Sequence, residues 1–143
     1  MGIFLDTSFF MGLYHPADEF HQNSKKLLLE MSKGKFGLIY TSPLIVAEAA
    51  TLLMVRTNNN QALLEKFYSY LYGPKRFIRI LPWTEKIEEL TWKLFLEINE
   101  KTKERKNWLS FVDISNIVYC RQNQIQNIAS YDIHFDAFLI RIH

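Results

Sequence analysis

A few acidic side chains of this sequence stand in stretches that carry no other Asp, Glu, Lys or Arg. Where such a stretch is buried, an ionised carboxylate costs on the order of several kcal/mol unless a positive charge compensates it. Because no cation is near in the sequence, a bound divalent metal ion is the simplest compensation. The acids, with the ranges in which no further charged residue occurs, are Asp6 (1–17), Glu48 (36–55), Asp113 (107–120) and the pair Asp132 and Asp136 (122–140).

The chemistry that grouped carboxylates support is metal-assisted hydrolysis. Hard cations such as Mg²⁺ take oxygen ligands and usually keep several waters. A cation held in this way lowers the pKa of a bound water and neutralises the negative charge that develops on a phosphate. If Asp6, Glu48, Asp113 and Asp132 meet in one pocket, they therefore predict hydrolysis at a phosphate group.

Glu48 is the acid whose surroundings are most consistently apolar or small. On a helix its neighbours three and four positions away are Leu44, Ile45, Thr51 and Leu52, and no Lys or Arg lies within one turn. Residues at this spacing share a helix face. The sequence therefore predicts a buried Glu48 that needs a cation beside it.

Short apolar runs alternate with amphipathic segments along the chain, which predicts strands alternating with helices in an α/β sandwich around a mostly parallel sheet of about five strands. The fourth helix is expected to bury Phe67, Tyr68 and Leu71, and the charged segment 100–106 is expected to be a solvated helix end. The predicted strands are 2–5, 36–40, 77–81, 125–129 and 138–142, and the predicted helices are 8–14, 17–33, 43–57 (with Ser42 as N-cap and Pro43 at N1), one through 63–71, one from about 84, and 112–123.

The predicted elements also explain how distant acids could converge. In open α/β sheets the functional crevice lies beyond the carboxyl ends of the strands. Asp6 and Asp132 each fall just after a predicted strand, and Glu48 and Asp113 lie in the first two turns of helices that start near the same edge. Simpler roles stay open for the acids taken singly: Asp6 as a helix N-cap, Asp113 as an acid at a helix N-terminus, and Asp132 and Asp136 as turn residues.

Composition limits the class of protein. The 143 residues suit a single domain, 1–143, and 48% hydrophobic residues are ample for a core. A net charge of +2 does not by itself indicate a polyanionic partner. The one cysteine, Cys120, excludes an intramolecular disulfide and no zinc-ligand spacing occurs. With no signal peptide pattern and no membrane-length apolar run, a cytoplasmic protein without membrane contact is expected.

Four segments together resemble the PIN-domain family, especially the VapC-type toxins of prokaryotic toxin–antitoxin pairs. The resemblance runs through nearly the whole chain and implies a PIN-like three-layer α/β/α sandwich and an endoribonuclease that depends on Mg²⁺ or Mn²⁺. It also implies an RNA substrate, an antitoxin protein partner and a homodimer. The segments, each with one acid, are Phe4-Leu5-Asp6-Thr7-Ser8, Thr41-Ser42-Pro43-Leu44-Ile45-Val46-Ala47-Glu48, Ser110-Phe111-Val112-Asp113 and Ala129-Ser130-Tyr131-Asp132-Ile133-His134-Phe135.

The resemblance assigns roles residue by residue. Asp6, Glu48, Asp113 and Asp132 would bind the metal, and Asp136 would join them if its segment is helical. Thr7 and Ser8 would bind water or support the ligands, as would Asn116 one turn after Asp113. Cationic and imidazole side chains are weaker candidates, whose simplest interpretation is a solvated charged surface. The candidate phosphate contacts are Arg56, Lys75, Arg76, Arg79, Lys101, Lys103, Arg105 and Lys106, and the candidate bases or ligands are His15 and His134.

Three other functions compete with the nuclease. A catalytically inactive PIN-like module would bind RNA or protein without cutting. An aspartyl phosphotransferase or phosphoreceiver would use Asp6 as nucleophile, but the dehalogenase-type motif requires an acid where Ser8 stands. A scaffolding domain would leave a buried Glu48 unexplained. The choice between RNA and DNA, the number of metal ions and the identity of the RNA stay open at this stage.

Overall fold

The five strands form one fully parallel sheet with β1 at its centre, in the order β3-β2-β1-β4-β5. The computed structural model describes residues 1–143. Phe4 is in register with Tyr40 on one side and Ile128 on the other. The strands are β1 Gly2–Leu5, β2 Leu38–Thr41, β3 Ile78–Ile80, β4 Asn127–Ala129 and β5 Ile140–Ile142.

Six α-helices connect the strands and pack in two groups, α1 to α4 together and α5 with α6. This is the three-layer α/β/α arrangement that the sequence predicts. None of the helices combines the length and the apolar character that a membrane span requires. The helices are α1 Thr7–Tyr14, α2 His21–Ser32, α3 Pro43–Arg56, α4 Gln61–Tyr72, α5 Glu85–Lys101 and α6 Phe111–Gln122, with short 3₁₀ turns at Arg105–Asn107 and Ile133–Ala137.

The central strand is the most deeply buried element. Ile3, Phe4 and Leu5 are each 0% exposed. A strand covered on both faces by helices has a continuous apolar sequence, as β1 does. The chain therefore delivers Asp6, the next residue, to the middle of the sheet edge.

The start of α3 follows the predicted capping pattern. The Ser42 hydroxyl accepts a hydrogen bond from the Ile45 backbone N–H at 3.3 Å, and Pro43 occupies the first turn. Proline is suited to this position because the N–H it lacks would have no intrahelical partner there. This cap starts α3 directly after β2, at the same edge of the sheet as Asp6.

Two local predictions were wrong in detail. The second helix starts at His21 instead of residue 17, because the Asp18 carboxylate accepts a hydrogen bond from the Phe20 N–H at 2.9 Å and holds a turn there. Tyr68 is 63% exposed and lies beside Tyr72, while Phe67 and Leu71 form the buried face of α4. Neither change affects the edge of the sheet that carries the acids.

Candidate active site

Asp6 is a buried carboxylate at the carboxyl end of β1, only 5% exposed. It occupies the N-cap position of α1, but its side chain makes no capping hydrogen bond. The structure therefore excludes the simplest alternative, in which Asp6 serves only to start a helix.

The hydrogen-bond donors around Asp6 are all neutral. Ser130 Oγ and Ser8 Oγ donate to Oδ2 at 2.7 and 3.1 Å, and Asn116 Nδ2 donates to Oδ1 at 3.1 Å. No Lys or Arg forms an ion pair with this carboxylate. Burial raises the pKa of Asp6, and the hydrogen bonds lower it by less.

Ser130 is the contact that sequence analysis missed. Its side chain is fully buried, and its Oγ accepts from the Asp132 N–H at 3.0 Å while donating to Asp6. It thus joins the ends of β1 and β4. The available signal was its position directly after β4, at the edge of the sheet where the crevice is expected.

Asp113 lies in the first turn of α6, where it takes part in a capping box with Ser110. The Ser110 N–H donates to Asp113 Oδ2 at 3.3 Å, and the Asp113 N–H donates to Ser110 Oγ at 3.1 Å. The expected helix-terminus role is therefore real. It does not account for the electrostatics, since burial first, and then the charges of Asp6 and Asp132, raise the pKa of Asp113 to about 6.

Asp132 completes a group of three acids that influence one another. Its charge raises the pKa values of both Asp6 and Asp113. The Asp132 side chain is 33% exposed, and its Oδ1 lies 2.9 Å from His134 Nδ1. The three acids therefore lie near enough for their charges to act on one another, and no Lys or Arg is paired to any of them.

The predicted burial of Glu48 was wrong. Glu48 is exposed, because the buried face of α3 is formed by Ile45, Ala49 and Leu53. Its Oε2 accepts a hydrogen bond from the buried Thr7 Oγ1 at 2.6 Å. Thr7 directly follows Asp6, so this bond connects α3 to the start of α1. Glu48 is therefore exposed on α3 and tied to the residue next to Asp6.

The acids do not form a closed ligand cluster. No group of three or more His, Cys, Asp or Glu side chains lies close enough to hold a metal ion. Glu48, Asp113 and Asp132 instead accept hydrogen bonds from Thr7, Ser110 and His134.

The chemistry of the pocket nevertheless suits a hard divalent cation. All of the acidic groups offer oxygen donors, and two of the carboxyls carry raised pKa values that a nearby positive charge would lower. Asn116 is fully buried beside Asp6, and its Oδ1 has no hydrogen-bond partner. A buried polar atom of this kind normally has a partner, which a metal-bound water would supply.

Several candidate residues have another partner or belong to other parts of the fold. Asp136 is paired with Arg141 at 2.8 Å, which lowers its pKa, so its carboxylate has another partner. Arg56 ends α3 two turns beyond Glu48, about 12 Å along the axis. His15, after the last turn of α1, has a buried Nδ1 without a partner. Lys75 and Arg76 precede β3 and so lie at the amino ends of the strands, whereas the acids follow the carboxyl ends. Arg79 lies within β3, the outermost strand on one side of the sheet.

The raised pKa of Asp113 predicts how stability changes with pH. Because the folded-state pKa of about 6 exceeds the ordinary 3.8, the folded chain keeps a proton that the unfolded chain releases, and stability falls as pH rises through this window. We expect Asp113→Asn to stabilise the fold by about 1 to 2 kcal/mol at pH 8, after allowing for partial exposure and the weakened capping box. The gain should vanish near pH 4.

Urea unfolding in EDTA between pH 4 and 8 measures this effect. Asp136→Asn is the matched control, because Arg141 lowers the pKa of Asp136 and its removal should bring no stabilisation at pH 8. A loss of stability in Asp113→Asn that is equal at every pH would mean that the capping box outweighs the repulsion.

The comparisons with known proteins agree with this architecture. The model of the PIN domain family matches residues 3–138. The 23S rRNA-specific endonuclease VapC20 of Mycobacterium tuberculosis, from two strains, is 27% identical over 135 residues, which cover 94% of this chain and 92% of that protein. The crystal structure of M. tuberculosis VapC20, a sarcin-ricin loop cleaving toxin, aligns with a TM-score of 0.77 and 27% identity over 94% of this chain and 93% of that one.

Proposed function

The chain belongs to the PIN-domain family, and on that premise we propose that residues 1–143 form a single metal-dependent endoribonuclease domain that hydrolyses RNA phosphodiester bonds. The observation that carries the proposal is the buried Asp6, which has only neutral donors around it and whose pKa is raised partly by the charge of Asp132. A pocket that gathers like charge in this way suits a positive ligand.

The proposed metal ligands are Asp6, Asp113 and Asp132, with Glu48 acting from the solvent side. When bound, Mg²⁺ or Mn²⁺ would lower the pKa of a water and neutralise charge on the phosphate. Glu48, Asp113 and Asp132 would exchange their present hydrogen bonds for this role. Asp136 is left out of the set because Arg141 holds it.

Neighbouring groups would orient these carboxylates. Ser8 and Ser130 both donate to Asp6 Oδ2 and lie 3.2 Å from each other, so they restrict rotation of that carboxylate. Asn116 restricts the other oxygen, Oδ1. Thr7 holds Glu48 in the same manner. A catalytic group gains efficiency when its supporting bonds fix its position before the substrate binds.

We further propose that the protein is the toxin of a toxin–antitoxin pair and acts in the cytoplasm as a homodimer that an antitoxin inhibits. The similarity to VapC20 supports the toxin role and makes ribosomal RNA the first substrate to test. Exposed apolar side chains on α3 and α5, Val55 at 67%, Trp92 at 50% and Leu96 at 61%, offer surface for a second copy.

An RNA-cleavage assay with Mg²⁺, Mn²⁺ or EDTA tests the proposed function. We expect fragments from ribosomal RNA with either metal, none in EDTA, and recovery when Mn²⁺ is restored in excess. Single-stranded DNA of the same length is the control for the type of nucleic acid. The open arrangement of the acids keeps an inactive RNA-binding module as the alternative. Binding of RNA without cleavage under every metal condition would favour that alternative.

A further inference from the structure

The loop between α5 and α6, residues 102–109, combines an exposed aromatic ring with positive charge. Trp108 is 52% exposed. Lys103 and Arg105 are exposed and make no ion pair, whereas Lys106 pairs with Glu104 at 3.1 Å. Aromatic rings beside cationic side chains are the combination that single-stranded nucleic acids bind, through base stacking and phosphate contacts.

The 102–109 loop borders the acidic pocket at two points. At the first point His134 connects the loop to Asp132: its Nε2 lies 3.0 Å from the Lys106 carbonyl oxygen and its Nδ1 lies 2.9 Å from Asp132 Oδ1. At the second point Ser110, the residue after the loop, donates its N–H to Asp113. A strand of RNA whose phosphate lies among the acids would therefore pass this loop.

Side-chain clamps hold the 102–109 loop in place. Asn99 of α5 donates to the Leu109 carbonyl oxygen and accepts from the Leu109 N–H, both at 3.0 Å. Trp108 Nε1 donates to the Thr102 carbonyl oxygen at 2.9 Å, which fixes the indole while half of it stays exposed. An aromatic side chain held in this way loses little conformational freedom when a ligand binds.

We propose that Trp108 stacks on an unpaired nucleobase of the RNA next to the cleaved bond, while Lys103 and Arg105 contact the adjoining phosphates. The proposal rests on the proposed function, because it assumes that RNA is the substrate of the acidic pocket. It adds a positioning residue that lies outside the four acids and their hydrogen-bond partners. Unpaired bases in loops and bulges are the parts of RNA that proteins stack on.

Binding of a fluorescein-labelled, mixed-sequence single-stranded RNA, measured by anisotropy in EDTA with the Asp6→Asn variant as background, tests the proposal. We expect Trp108→Ala to weaken binding, raising the Kd by about tenfold or more. Tyr68→Ala, which removes an exposed ring from α4, is the matched control and should leave the Kd unchanged. An abasic ribose-phosphate oligomer of the same length should bind equally to proteins with Trp108 and with Trp108→Ala, since it has no base to stack.

Trp108→Phe separates stacking from a structural role, since Phe keeps a ring but cannot donate to Thr102. We expect the Kd of Trp108→Phe for RNA to stay within about threefold of the parent value. Circular dichroism should show that each variant is folded. Equal losses in the Phe and Ala variants, or equal losses on abasic and normal RNA, would overturn the stacking role. A change in oligomeric mass with unchanged RNA binding would assign Trp108 to a protein interface instead.

The phosphate contacts have their own readout. For single strands, log Kd changes with log salt by about 0.7 for each phosphate contact. Replacing Lys103 and Arg105 together by Ala should therefore reduce that slope by about 1.4, whereas Trp108→Ala should leave it unchanged. These binding measurements use no metal, so they are independent of cleavage. If the protein cleaves RNA but Trp108→Ala binds RNA as well as the parent, only this inference is refuted. If Trp108→Ala weakens RNA binding but the parent does not cleave RNA, only the nuclease function is refuted.

Discussion

Asp6→Asn is expected to lower the rate of RNA cleavage by at least about a thousandfold while leaving the protein folded and no less stable. The carboxylate is the central acid of the pocket, fixed by bonds to both of its oxygens. Its amide isostere keeps the shape and removes the charge that a divalent cation requires. A loss of this size is typical when a group that acts on the transition state is removed.

The expected sign of the stability change follows from the burial of Asp6. Burial raises its pKa, so the ionised form is less favourable in the folded chain than in the unfolded chain. At pH values above the ordinary carboxyl pKa, the amide of Asp6→Asn avoids the cost of burying an ionised carboxylate. The amide must still satisfy its neighbours. Its oxygen can accept from Ser130, and its NH₂ group can donate to Asn116 Oδ1, which has no partner now, if the Asn116 amide turns over.

Two measurements decide this prediction together. Cleavage is followed with Mn²⁺ in excess, and thermal unfolding is followed in EDTA, where no metal can stabilise the parent selectively. Asp136→Asn is the control acid, because the Asp136 carboxylate is paired with Arg141 and the variant should retain full cleavage. Retained cleavage in Asp6→Asn would remove Asp6 from the mechanism, and an unfolded variant would mean that the carboxylate serves the fold.

The position of Asp6 could be predicted because a buried apolar strand determines where the residue after it lies in the fold. A fully apolar run such as Ile3, Phe4 and Leu5 must lie inside a sheet covered on both faces, and the next residue must lie at its carboxyl edge. Asp132, three residues after β4, follows from the second half of this rule alone, since the predicted strand 125–129 contains Gln126 and Asn127. Parallel strands and short connections leave few alternatives for either residue, so no tertiary information was needed.

The surroundings of Glu48 could not be obtained in this way. Apolar neighbours along a helix predict burial only if the helix turns that face toward the core, and α3 turns Ile45, Ala49 and Leu53 inward instead. An exposed Glu48 is compatible with a scaffolding domain. Asp6 argues against it instead, because a carboxylate that is buried among neutral donors, with a raised pKa, is unfavourable in its ionised form.

The hydrogen-bond partners of the acidic side chains were the other feature that the sequence did not predict. Ser130, the residue after β4, reaches Asp6 from more than a hundred positions along the chain and was not predicted. Asn116 was predicted to support the ligands, but its hydrogen bond to Asp6 was not predicted. Pairing across such separations depends on how the elements pack, which periodicity does not report. The ion pair of Asp136 with Arg141 was missed for a related reason, since it depends on the turn between Phe138 and β5.

Glu48→Gln is expected to lower cleavage by at least about a hundredfold and to leave the free energy of unfolding within about 0.5 kcal/mol of the parent. The stability change should be small because Glu48 is exposed and Gln can still accept the hydrogen bond from Thr7. The loss of activity should come from the missing charge at the solvent side of the pocket. Asp6→Asn and Glu48→Gln should thus both lower cleavage but change the free energy of unfolding differently, which separates the effect of burial from the effect on catalysis.

Thr7→Val is the partner variant, because Val keeps the shape of Thr7 and removes the hydroxyl that holds Glu48 at 2.6 Å. If Glu48 acts only when it is held in place, Thr7→Val should lower kcat by about tenfold, and the double variant should be no worse than Glu48→Gln alone. Additive losses would show that Thr7 acts independently of Glu48. Full cleavage by Glu48→Gln would leave Asp6, Asp113 and Asp132 as the whole acidic site and Glu48 as a surface residue of α3.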